Sequence, residues 1–198
     1  MDAFVAIDSS TAVVSAALFV DGRATGSVVR EVPTRSSGTL LELVPPLLAD
    51  AGLEFADLSQ GFAFGRGPGT YAGLRTCVAT VGGWALPFRL PLWAIPSPFA
   101  VAAKYFAEHP AATACRVAGR ARRDTLWTGT FLRDGASGLP KLERAFGLVP
   151  VESRPEADVV EEPPSAEWIG RLRLTGVASD VPLPLYMHPA VSTAPRFA

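Results

Sequence analysis

The stretch that most constrains the fold is Gly65-Arg66-Gly67-Pro68-Gly69-Thr70-Tyr71-Ala72-Gly73-Leu74-Arg75, entered from the apolar run Phe62-Ala63-Phe64. A short apolar strand passes through a loop of alternating glycines and continues into a helical pattern. Gly65, Gly67 and Gly69 allow positive φ and close backbone approach. A helix starting just beyond them, near Gly73, aims its free amides and partial positive charge back at the loop. Arg66 and Arg75 are cationic donors suited to phosphate. A tight steric connection and an anion cradle are both open from the loop alone. No Gly-Lys-Ser/Thr follows, so the loop is not a P-loop, and it lacks the dinucleotide fingerprint.

A second signal stands near the start, in Ala6-Ile7-Asp8-Ser9-Ser10-Thr11. In phosphotransferases an aspartate at the end of a first strand can hold magnesium, with neighbouring hydroxyls and amides on phosphate. The commoner use of such a string is a turn closed by local side-chain to backbone bonds. The candidate nucleotide or phosphate site is therefore Asp8, Ser9, Ser10 and Thr11 with Gly65, Arg66, Gly67, Gly69, Thr70 and Arg75.

Along the chain, residues 3–7, 13–20 and 25–31 read as strands, with a turn at Asp21-Gly22, giving an antiparallel opening. Residues 40–51 have helical spacing, with Ser36, Ser37 and Thr39 as available caps and Gly52 as a stop. Pro45-Pro46 interrupts that pattern at a cost of about 3 kcal/mol for an interior proline. The helix kinks there, or its regular part begins there. Strand 61–65, helix 74–86 and strand 90–95 imply parallel crossovers. Pro96-Ser97-Pro98 opens a helix to about residue 108, with Ser97 as cap. His109-Pro110 marks a boundary. Beyond it, residues 115–118, 126–132, 145–149 and 172–177 are strand candidates, and the acidic stretch 156–165 reads as a surface loop. The expected class is α/β, a mixed sheet with flanking helices over 1–108 and a smaller α+β unit over 109–198.

Hydrophobic residues make up 48% and charged residues 19%, which supports a sizeable core and argues against disorder. A net charge of −1 gives no general pull toward nucleic acid or membrane, and no run is long enough to span a bilayer. The two cysteines, Cys77 and Cys115, form no metal-type pair and fit a reduced, cytoplasmic setting. The two histidines, His109 and His188, stand far apart, which leaves a metallopeptidase little support. Arg116, Arg120, Arg122, Arg123 and Arg133 read as solvated strand ends more readily than as an RNA contact.

The helix at 74–86 carries Ala79, Gly82 and Gly83 on one face, at about 1 kcal/mol per glycine relative to alanine. Such small residues accompany close helix packing. The neighbour is either the chain's own 40–51 helix or another subunit. In the second case the docking face comprises Leu43, Val44 and Leu47 with Thr76, Ala79, Thr80, Gly82 and Gly83, and Trp84 is the natural anchor.

These residues together resemble the bacterial TsaB (YeaZ) family, of the actin, Hsp70 and sugar-kinase-like superfamily. The likeness rests on Ala6-Ile7-Asp8-Ser9-Ser10-Thr11 and on Gly65 through Arg75, where the family reads Gly-Arg-Gly-Pro-Gly-Ser-Phe-Thr-Gly-Leu-Arg. It continues through Val78-Ala79, Gly83, Pro91-Leu92 and Ser97. Weaker echoes are Ala121-Arg122-Arg123 and Pro184-Leu185-Tyr186-Met187. The resemblance implies a ribonuclease-H-like, actin-type ATPase fold and an accessory subunit without turnover of its own. It implies a TsaD partner that transfers threonylcarbamoyl to N6 of adenosine 37 in tRNA, a TsaE-type ATPase in the same complex, and only indirect contact with tRNA. It also implies a homodimer through the two helices when alone, and no tightly bound cofactor, with ATP or ADP and magnesium at a partner interface. The family's older glycoprotease-like label finds no chemistry here. The chain departs from the pattern in having Ser36-Ser37-Gly38 in place of a histidine before the first helix, Arg120-Ala121-Arg122 in place of Asp-Ala-Arg, and a shortened second half. An active nucleotide-dependent phosphotransferase or ATPase is the alternative on the same fold.

Overall fold

The computed structural model describes residues 1–32, 38–121, 124–153, 156–177 and 182–187. Ten strands and four α-helices are described: β1 (Ala3–Asp8), β2 (Val13–Val20), β3 (Arg23–Glu31), α1 (Thr39–Asp50), β4 (Phe62–Gly65), α2 (Tyr71–Ala85), β5 (Leu92–Ile95), α3 (Ser97–Glu108), β6 (Ala114–Arg120), β7 (Thr125–Arg133), β8 (Pro140–Leu142), β9 (Gly147–Pro150), β10 (Val159–Val160) and α4 (Ala166–Leu174).

The first sheet has the order β3-β2-β1-β4-β5. β1, β2 and β3 pair antiparallel, while β1, β4 and β5 run parallel. Successive side chains of a strand point to opposite faces. Val5 and Ile7 of β1 join α1 and α2 in one core layer, and Phe4 and Ala6 join α3 and α4 in another. Helices on both faces explain why all six residues of β1 are buried. The mixed α/β architecture expected from the sequence is present.

α1 runs unbroken through Pro45 and Pro46. Leu40, Leu43, Val44 and Leu48 are buried on its sheet side. At about 1.5–3 kcal/mol per large apolar side chain, that burial outweighs the missing proline N–H groups.

The second sheet has the order β10-β6-β7-β8, with β9 also paired to β7. α3 lies between the sheets. Its Ala100 and Ala103 pack toward the first, and Val101, Ala102 and Phe106 toward the second.

Several expectations are corrected. Residues 172–177 are not a strand: Leu172 closes the buried side of α4, whose buried Ala166, Ile169 and Leu172 follow helical spacing. The stretch 156–165 is not all loop, because Val159 and Val160 add a parallel strand beside Val117 and Ala118. α2 begins at Tyr71, ahead of the expected start, because Thr70 caps it. Ser97 does not cap α3. Pro96 is the cap residue, and the Ser97 hydroxyl turns inward to Asp8 instead. Residue 108 ends α3, between β5 of the first sheet and β6 of the second. α4 crosses back to cover the first sheet, where the Ser15 hydroxyl accepts its opening Ala166 N–H at 2.9 Å. An open sheet face of Phe4, Ala6, Ala17 and Phe19 needs that cover.

Candidate functional site

The two sequence signals meet. Asp8 ends β1, Gly65 ends the adjacent parallel strand β4, and Ser97 opens α3. Asp8 is 0% exposed. Its Oδ1 accepts the Ser10 N–H at 2.8 Å and the Ser10 hydroxyl at 2.7 Å, and its Oδ2 accepts the Ser97 hydroxyl at 2.7 Å. The Ser97 oxygen in turn accepts the Gly67 N–H at 3.1 Å. Burial pushes the Asp8 carboxyl above its ordinary 3.8, and the bonds from Ser10 and Ser97 pull it back only in part. Beneath it on α2, burial raises the Cys77 thiol to about 12.

The glycine loop closes over this aspartate. A Cβ on Gly65 would lie 1.8 Å from Asp8 Oδ2, and one on Gly69 would lie 2.2 Å from the Ser10 carbonyl. The Thr70 N–H donates to that same carbonyl at 2.7 Å, and the Ser9 hydroxyl donates to the Gly73 carbonyl at 3.1 Å. The Thr70 hydroxyl caps α2 by accepting the Gly73 N–H at 3.2 Å. Thr11 closes a local turn with both backbone groups of Val13. The residues gathered from Asp8–Thr11 and from Gly65–Thr70 thus satisfy one another. They do not fit a magnesium ion with phosphate: the carboxylate has no exposed surface and its oxygens are occupied from within the chain.

The two arginines part company. The Arg66 N–H donates to the Ile95 carbonyl at 2.9 Å, and burial lowers the pKa of its half-buried guanidinium. Arg75 is exposed, with its guanidinium over the Tyr71 ring and Nη1 donating to the Tyr71 hydroxyl at 2.6 Å.

The candidate docking helices are more unequal than their sequences imply. Leu43 and Val44 are buried in the chain's own core and Leu47 is half-buried there, so α1 offers little through them. On α2, Ala79 and Gly83 are exposed, and Thr76, Thr80 and Gly82 are half-buried. Nothing lies within 4 Å of a Cβ on Gly82 or Gly83, so these glycines do not serve packing inside the chain. Trp84 is no free anchor. Its ring stacks on Phe55 at 5.0 Å and Phe62 at 5.9 Å. At 100° per residue it falls on the Cys77 side of the helix, away from Ala79 and Gly83. Sequence reasoning missed the large apolar residues that do stand out at the end of α2, Leu86 and Phe88, exposed by 78% and 48%. They lie in and beyond the last turn, where periodicity gives no signal.

Of the arginine cluster, Arg122 and Arg123 lie outside the described residues, as do Ser36, Ser37 and His188. Arg116 pairs with Glu156 at 3.4 Å and Arg120 with Glu161 at 2.8 Å, a neutralised surface rather than a basic one. Arg133 closes α3 by donating to the Phe106 and His109 carbonyls. Among the described residues no three His, Cys, Asp or Glu side chains gather into a metal-binding group. No described helix is long and apolar enough to cross a membrane.

A family model described as TsaD, tRNA N6-adenosine threonylcarbamoyltransferase, matches residues 22–136, more than half of the chain. The solved structure of YeaZ from Pseudomonas aeruginosa superposes with a TM-score of 0.79 at 26% identity, over 94% of this chain and 100% of that one. The chain belongs to this family, in its TsaB/YeaZ branch. Among curated members, the tRNA threonylcarbamoyladenosine biosynthesis protein TsaB of Escherichia coli (strain K12) is 32% identical over 87 residues, 44% of this chain and 37% of that protein. TsaB of Haemophilus influenzae is 33% identical over 107 residues, 54% of this chain and 44% of that protein. The matches thus span less than half the length of these curated relatives. The junction of Asp8 with the glycine loop lies at the ends of β1 and β4, inside the region that superposes on YeaZ.

Proposed function

We propose that this chain is a non-catalytic partner subunit of a TsaD protein in the formation of N6-threonylcarbamoyladenosine at position 37 of tRNA. The observation that carries this reading is the closed aspartate and glycine junction in a TsaB/YeaZ chain. Where an actin-type enzyme needs an open acid and free amides for phosphate, Asp8 is buried and bonded to Ser10 and Ser97. What α2 offers instead is an outward row of Tyr71, Arg75, Ala79 and Gly83 ending in Leu86. A second helix can approach closely over Gly82 and Gly83, and the larger residues at either end can fix its register. That face docks TsaD in the complex, and a second copy of this chain in its absence. A TsaE-type ATPase joins through the complex, and tRNA contacts the assembly rather than this chain. ATP or ADP with magnesium, when recruited, belongs to the boundary with the partner and not to Asp8. Such an assembly works in the cytoplasm.

The test is reconstitution with the TsaD protein of the same genome. Co-purification, and threonylcarbamoylation of tRNA that depends on adding this chain, are expected. Absence of association in every nucleotide state overturns the proposal.

A further inference from the structure

The segment Pro184-Leu185-Tyr186-Met187 has no place in the site described above. α4 ends at Leu174, yet these residues lie against the glycine loop and the start of α2. The Leu185 N–H donates to the Arg66 carbonyl at 2.7 Å. The Tyr186 ring sits 5.1 Å from that of Tyr71, the first residue of α2. Arg75, one turn on, lies over the Tyr71 ring, 5.1 Å from its centroid. Met187 then packs on the core of the second sheet. Three consecutive residues thus touch the loop, the helix start and the second sheet. Tyr71 and Tyr186 keep 55% and 42% of their surface exposed, so with Arg75 they form one surface patch at the end of the outward row of α2.

We propose that residues 184–187 are a clasp: they hold the first turn of α2 in place and add Tyr186 to the docking face, so the seating of the clasp sets how tightly a partner binds. This rests on the partner-docking reading of α2. A first helical turn leaves backbone N–H groups without intrahelical partners and opens readily. Here Thr70 is the side-chain cap, and the Tyr186 ring and the Leu185 bond add restraint from a distant part of the chain. Pro184 narrows the conformations open to itself and to Leu183, which lowers the entropic cost of seating the segment. A preorganised aromatic pair beside an arginine is the kind of group that carries a large share of interface affinity.

The experiment compares the chain with its Tyr186→Ala and Tyr186→Phe variants in two readouts. The first is backbone hydrogen exchange over residues 66–75. Tyr186→Ala is expected to speed exchange there by about fivefold or more while β1 and β2 are unchanged, and Tyr186→Phe, which keeps the ring, to match wild type. The second is affinity for the TsaD protein of the same genome, expected to fall about tenfold in Tyr186→Ala and to be retained in Tyr186→Phe. Unchanged exchange at 66–75 in Tyr186→Ala overturns the clasp. Faster exchange with unchanged affinity overturns its control of docking. If wild type itself does not bind TsaD, the partner reading falls and takes the control of docking with it, while the exchange data alone decide the clasp.

Discussion

The two sheets differ in how they are covered. The first is clad by helices on both faces, so β1 is buried along its whole length. The second is covered by α3 on one face. Its β7 alternates buried Trp127, Gly129 and Phe131 with half-buried or exposed Thr128, Thr130 and Leu132. Side chains at the ends of the first sheet are locked by contacts on every side, as Asp8 is. Those on the outside of the second are tied by solvent-exposed ion pairs, as Arg116 and Arg120 are. Substitutions of the same kind should therefore cost very different amounts in the two places.

The sharpest contrast is between two glycines. Gly65→Ala puts a Cβ 1.8 Å from a carboxylate oxygen that has nowhere to move, and a loss of about 3 kcal/mol or more is expected in urea unfolding. Gly147→Ala, on exposed β9, meets its nearest atom at 3.8 Å and should change stability by less than about 1 kcal/mol. Equal effects at the two positions would break the comparison.

Next in size is Ser97→Ala, which removes the donor to Asp8 Oδ2 and the acceptor of the Gly67 N–H. A loss of about 1–3 kcal/mol follows from leaving buried polar groups unmatched. A loss near zero would show that the junction repacks freely.

Asp8→Asn tests the same junction by pH. Burial holds the Asp8 carboxyl above 3.8, so the folded chain keeps that proton more tightly than the unfolded chain does. The stability this contributes is full below about pH 3.8 and is lost as pH rises through the raised value. The variant has no such proton, so it should gain on wild type over the range from about pH 4 up to the raised value, by about 1.4 kcal/mol for each unit by which the pKa is raised. Urea melts of both proteins across that range check it. A gap independent of pH would mean that the bonds from Ser10 and Ser97 fully offset burial.

The smallest effect belongs to the second sheet. Arg120→Ala breaks an exposed pair with Glu161 and should cost less than about 0.5 kcal/mol, a cost that vanishes at high salt.

The first sheet was more legible than the second for the same physical reason. Apolar runs such as Phe62-Ala63-Phe64, bounded by turns and glycines, leave few alternatives, and every strand expected before residue 108 is present. Leu172 was misread as the start of a strand because a short apolar run suits either element. The helix is decided by the spacing of Ala166, Ile169 and Leu172 against the open face of the first sheet. The two-residue strand β10 had no periodicity to show, and it exists because β6 offers an edge beside Val159. Within the candidate site, the residue types at Asp8, Gly65 and Gly69 were evident, but their state was not. Whether an aspartate beside a glycine loop is open or shut depends on Ser97, far along the chain, and nothing in the local string specifies where its hydroxyl points.

The sequence by itself determined the strand directions, an antiparallel opening followed by parallel crossovers, and the family, through the string from Gly65 to Arg75. These are local matters of apolar period, turn chemistry and glycine placement. Only the tertiary structure decided that α4 returns to the first sheet, that Trp84 faces inward and that Asp8 is sealed. Each of these depends on which distant surfaces compete for cover. Burial is a property of the assembled chain, and no single segment carries it.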